Sequence, residues 1–134
     1  MPEHPNVQRV RDAYAAFAAG DLETALADLA PDAVFHFNGD GPVSGDHKGP
    51  EAITAALIKT FELTNGTQKL DIRSVFADDQ HAVITMRETA TRPDGASLDL
   101  EEAHVITFDP DGRITNLWDL PDDPAAHDRF FDGR

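Results

Sequence analysis

The chain has 134 residues, 40% of them hydrophobic, and 11 Lys and Arg against 25 Asp and Glu give a formal charge of −14. That size suits one domain with a single core, and the surplus of carboxylates repels phosphate backbones and anionic bilayers, so neither nucleic acid nor a membrane is expected as a partner. With no cysteine, disulfides, thiolate catalysis and Cys-based zinc sites are excluded.

The segment PNVQRVRDAYAAFAAGD reads as a first helix: Pro5 suits an early helical position, and Val7, Val10, Tyr14 and Phe17 recur at helical spacing. Gly20 stops it, and Asp21 can cap a second helix whose apolar stripe is Leu22, Ala25, Leu26 and Leu29. The period changes over Ala33 to Asn38, which is short and aromatic-rich: a strand, followed by the loop GDGPVSGDHKG. Pro50 opens a third helix through about Thr64, with Ile53, Leu57 and Phe61 on one side. Leu70, Ile72, Ser74 and Phe76 then alternate as a strand. HAVITMRETAT, LDLEEAHVITF and RITNLWDL follow as three more, set off by the turns ADDQ, RPDGAS and DPDG. The tail PDDPAAHDRFFDGR carries Phe130 and Phe131 as apolar anchors, suited to a helical turn packed on the body or on a neighbouring subunit.

This order predicts a single α+β domain over residues 1–134, with residues 121–134 as its C-terminal tail. A curved antiparallel sheet wraps around N-terminal helices and closes into a cone, whose interior must be filled by side chains or by a ligand. MPEHPNVQRV lacks the apolar run of a signal peptide, and no segment approaches the length of a membrane span, so the expected location is cytoplasmic.

Alternation selects the side chains that would line the interior. In LDLEEAHVITF, counting by twos places Glu102 and His104 on the face of Leu98, Leu100, Ile106 and Phe108. A carboxylate and an imidazole on an apolar face require partners or water. His104 is therefore either a cavity group or a core histidine bonded to a carbonyl. In RITNLWDL, Ile114, Asn116 and Trp118 alternate with Thr115, Leu117 and Asp119. Both sets mix polar with apolar, so the period leaves Asp119 either inside the cone or at the start of the polar exit DLPDDP. Trp118 is core or ligand platform. His36 alternates with Phe35 and Phe37, and Tyr14, on the apolar stripe of the first helix, needs a partner for its hydroxyl if buried. The six histidines form no HxH, HxxxH or HExxH pair, so no metal site is expected. No Gly-rich phosphate loop follows a strand, no GxSxG is present, and no cofactor is expected.

Three stretches, AAGDLETALADLAPDAVFHF, SGDHKGPEAI and HVITFDPDGRITNLWDL, resemble the SnoaL-like, ketosteroid isomerase-like branch of the NTF2-like superfamily. The resemblance covers about residues 5 to 131. It implies a cone-shaped α+β fold with an apolar pocket between sheet and helices, dimeric through the sheet. Tyr14 matches the tyrosine that the isomerases place on the first helix. Their general-base aspartate falls at Phe37, with Asp40 the nearest carboxylate, and their second aspartate falls at His104. Asp119 matches a pocket aspartate that polyketide cyclases and limonene epoxide hydrolases carry near the end of the last strand. The Asp/Arg couple of the epoxide hydrolases has only Glu102 and His104 in its place.

The resulting expectation is a homodimer with a pocket for a small hydrophobic, polyketide- or steroid-like molecule. If it is an enzyme, its chemistry is cofactor-independent isomerisation or cyclisation next to a carbonyl. Asp119 and His104 would then be the acid–base pair, with Tyr14 as enolate donor and Trp118, Phe37, His36 and Glu102 as substrate contacts. The alternative is a non-catalytic ligand-binding or dimerisation module; epoxide hydrolysis ranks behind both.

Overall fold

The first helix, α1 (Pro5–Ala18), starts where His4 caps it, its Nδ1 accepting the Asn6 N–H at 3.1 Å. Asn6 in turn donates from its side chain to the Asp78 carbonyl at 3.0 Å, which pins the helix start to a β-turn far along the chain. The computed structural model describes residues 3–39 and 41–132. The second helix, α2 (Leu22–Ala25), is a single turn. The expected stripe through Leu29 is not helical, because Leu29 opens strand β1 (Leu29–Phe37). Pro31 accounts for this: it lacks an N–H, and it biases Ala30 away from helical geometry.

The segment expected to be a plain loop contains strand β2 (Gly45–Lys48), which pairs antiparallel with β1. None of its four residues is buried, so it carries no hydrophobic alternation to be read. Helix α3 (Gly49–Leu63) follows, then β3 (Lys69–Ala77), β4 (His81–Thr91), β5 (Ser97–Phe108), β6 (Ile114–Pro121) and α4 (Pro124–Asp132). The six strands form one sheet in the order β2-β1-β6-β5-β4-β3. All neighbours are antiparallel except β1 and β6, which run parallel. The expected α+β cone is therefore present, with one more strand than the sequence pattern shows.

The concave face carries the core. Ile84 and Met86 of β4, Ile53 of α3 and Ile106 of β5 are fully buried, and Val7 and Val10 of α1 and Leu117 of β6 are buried with them. A second cluster, Val43, Ala90, Leu98, Leu100, Phe130 and Phe131, seats α4 on one end of the cone. Arg92 fastens that helix: Nη1 donates to the Phe130 carbonyl at 2.5 Å, and the guanidinium lies 5.4 Å from the Phe130 ring centroid. The tail thus packs on the body through the two predicted anchors.

Close approach between α4 and the end of β1 depends on Gly39. Its φ of +100° is one that L side chains rarely adopt, and an added Cβ would lie 2.3 Å from Asp128 Oδ1. Gly39→Ala is expected to lower the unfolding free energy by about 1–3 kcal/mol, read from urea denaturation.

On the convex face, Phe76, Val83, Val105, Trp118 and His36 are successive cross-strand partners and form a row across five strands. No helix among the described residues is long and apolar enough to cross a membrane.

Candidate functional site

Between sheet and helices lies a cavity of about 130 Å³. Its walls are apolar, with Phe35, Phe37, Leu57, Phe108 and Leu117 among them, and its polar groups come from separate elements. Tyr14 projects from α1, Glu88 from β4, Glu102 and His104 from β5, Asp119 from β6 and His127 from α4.

Tyr14 Oη and His104 Nδ1 are 2.5 Å apart. Burial, with Glu102 nearby, pushes the Tyr14 phenol up, so it stays protonated and donates. Nδ1 then accepts, and the imidazole proton sits on Nε2, which lies 3.5 Å from Glu102 Oε2. Burial pulls the His104 pKa down, so this ring is neutral near pH 7. Asp119 is the register partner of His104 on the neighbouring strand and shares its face. Its Oδ1 accepts the Asn38 backbone N–H at 2.9 Å. Burial pushes Asp119 above the usual carboxylate range, and that one hydrogen bond offsets the rise only in part.

The other polar groups form a second knot. His127 Nε2 lies 3.3 Å from Glu88 Oε1 and 3.7 Å from Glu102 Oε1. Gln68 Nε2 donates to Glu88 Oε2 at 2.6 Å. Burial and the adjacent Glu88 push Glu102 well up, so it holds a proton. Burial acts to raise Glu88 too, but His127 and Gln68 outweigh it and hold Glu88 down. Burial would lower His127, yet the neighbouring carboxylates Glu88, Glu102 and Asp119 raise it.

Five of the residues singled out in the sequence therefore meet at the cavity: Tyr14, Phe37, Glu102, His104 and Asp119. The open question of the β6 face is answered by burial, with Leu117 and Asp119 inward. Two expectations are corrected. Trp118 and His36, taken as substrate contacts, lie on the convex face away from the cavity. Each alternates with an inward residue, and they stack on one another with centroids 4.7 Å apart and planes 6° off parallel. His36 is further occupied by Asp46 at 2.8 Å and Asn116 at 3.0 Å. Asp40 lies outside the described residues.

The sequence reading missed Glu88, His127 and Gln68. Glu88 was within reach, because counting by twos from Ala82 through Ile84 and Met86 puts it on the buried face of β4. His127 stands four residues before Phe131, one helical turn from a predicted anchor. Gln68 stands just before β3, outside any regular element, and carries no periodic signal.

A cone of six strands, packed on helices and enclosing a small apolar cavity with a polar end, defines a cup-shaped α+β protein of the NTF2-like type. The chain belongs to the SnoaL-like family, whose domain model matches residues 10–117. An uncharacterised Mycobacterium tuberculosis protein, Rv0034, is 30% identical over 131 residues, spanning 98% of this chain and 99% of that one. Bal32a, from a soil-derived mobile gene cassette, superposes with a TM-score of 0.87 at 35% identity over 94% of this chain and 95% of its own. TerC, co-crystallised with polyporic acid, shares the fold with a TM-score of 0.81 at 23% identity, over 95% of this chain and 98% of its own.

Proposed function

We propose that the cavity binds a small hydrophobic carbonyl compound and that the protein moves a proton on the carbon next to that carbonyl, as in isomerisation or aldol-type cyclisation. The observation that carries this reading is Asp119 facing the His104–Tyr14 pair at the polar end of an otherwise apolar cup. Asp119 is the base: burial strengthens it, and a single backbone N–H holds it in place. The donor for the developing enolate oxygen is the Nε2–H of neutral His104, and the Tyr14 hydroxyl, expected as the enolate donor itself, instead donates to Nδ1 and fixes that tautomer. Size narrows the ligand. An apolar cavity of roughly 150 Å³ takes a benzene-sized guest, and the cavity here is about 130 Å³. A single ring or a short chain suits it better than a steroid.

The test is hydrogen–deuterium exchange at the α-carbon of single-ring aryl ketones and β-dicarbonyls, followed by NMR with and without the protein. Exchange above the buffer rate supports the reading. If such compounds bind and none exchanges, the cup is a binding module.

We also propose that the chain forms a homodimer through its convex face. There the aligned row includes Phe76, 62% exposed, and the half-buried Val83, Val105 and Trp118. Light scattering on a sizing column is expected to give twice the monomer mass, and Val105→Arg is expected to give the monomer with the cavity intact. A monomeric parent protein would remove this reading.

A further inference from the structure

We infer that Glu88, Glu102 and His127 form a binding site for one divalent first-row transition-metal ion at the end of the cavity covered by α4. Their ligand atoms all lie within 4.8 Å of one another, and all three residues are buried. Two ligands held about 2.1 Å from one ion stand roughly 3.0–3.6 Å apart for angles between about 90 and 120°. The separations of 3.3 and 3.7 Å from His127 Nε2 to the two carboxylates are close to that already. The ligands sit on firm supports: β4 and β5 are adjacent strands, and α4 is anchored by Phe130 and Phe131.

A second observation points to the same place. Among the described residues, the buried side-chain atoms without a hydrogen-bond partner are Glu88 Oε1 and Gln68 Oε1, and both are here. Glu88 is only 2% exposed, and its Oε1 has the His127 ring nitrogen 3.3 Å away as an ion-pair contact. A cation held between these buried acceptors and the ring nitrogen would satisfy them. Charge agrees once the ion displaces the protons that Glu102 and His127 hold in its absence: two carboxylates and a neutral imidazole then carry −2, which one divalent ion cancels. The nitrogen ligand favours a transition ion such as Zn²⁺ or Co²⁺ over Mg²⁺ or Ca²⁺. Gln68, bonded to Glu88 Oε2, is a positioning residue that orients this ligand.

All three ligands line the cavity, so the remaining coordination positions open towards it, where a carbonyl or hydroxyl oxygen of a bound compound can complete the shell. That last step rests on the cavity reading above; the metal site itself does not, and its test uses no organic ligand. The ligands lie on three separate elements, so no short spacing in the sequence announces them.

The experiment uses the tag-free full chain, stripped with EDTA and desalted, titrated with Zn²⁺ by calorimetry and with Co²⁺ by visible absorption. One equivalent of each ion is expected to bind, with Glu88→Gln and His127→Gln each weakening it at least tenfold and Gln68→Ala weakening it less. Circular dichroism checks that each variant is folded, and Glu102→Gln replaces any that is not. Absence of one-equivalent binding, or binding that survives the ligand variants, would overturn the proposal and leave protons as the only charges neutralising the cluster.

Discussion

Asp119→Asn is expected to slow α-proton exchange by roughly 10²–10⁴-fold, the usual worth of a positioned general base. The substitution isolates that role. An asparagine oxygen can still accept the Asn38 N–H, so the end of β1 keeps its tether to β6. What disappears is the basic lone pair. The exchange rate of the parent should climb as pH rises through the elevated Asp119 pKa and level off above it. Stability should move the other way. A carboxyl whose folded pKa is raised by burial costs stability as pH climbs from the unfolded value through the folded one, because only the unfolded chain ionises freely there. The amide cannot ionise, so the variant should melt no lower than the parent at pH 7, with the gap closing under acid conditions. Lost exchange with an undiminished Tm separates a missing base from a damaged fold. An unchanged exchange rate would take Asp119 out of the chemistry.

Ile84→Ala is expected to lower the unfolding free energy by about 2–5 kcal/mol. Ile84 has no exposed surface, lies mid-strand in β4 between Val75 and His104 in register, and packs within the main core cluster. Neighbours on both sides are held by strand pairing, so the void closes poorly and the upper half of that range is expected. The hole would also open beside the His104 ring, whose position fixes the bond to Tyr14. Urea denaturation reads the first effect. The second appears as weakened binding of any ligand found for the cavity. A loss under about 1 kcal/mol would mean the core collapses onto the gap.

Period carried most of the fold. LDLEEAHVITF delivered the inward face of β5 correctly, including both of its polar members, because six residues in strict alternation agree. RITNLWDL could not assign Asp119, since both of its faces mix polar with apolar residues; only the burial of Leu117 and Asp119 decides the matter. The same ambiguity let Trp118 pass for a cavity wall. Local pattern is silent about β2, whose residues are held by partners on β1 and bury no side chain of their own. It is silent too about His127, which reaches the cavity because a terminal helix folds back across the sheet. Alternation is a property of one strand, whereas a polar cluster drawn from β4, β5 and α4 is a property of their packing.

The parallel pairing of β1 with β6 has a consequence for how the chain assembles. Leu29 meets Ile114 and His36 meets Trp118, so the first strand of the sheet in chain order completes its place beside the sixth. While the ribosome is still adding residues, β3, β4 and β5 can zip up as neighbouring hairpins, but β1 has no inner partner until β6 emerges. During that interval Phe35 and Phe37 stand on an unprotected edge, inviting pairing with another chain. Chains cut short before Ile114 are therefore expected to aggregate, and folding should be limited by the arrival of β6.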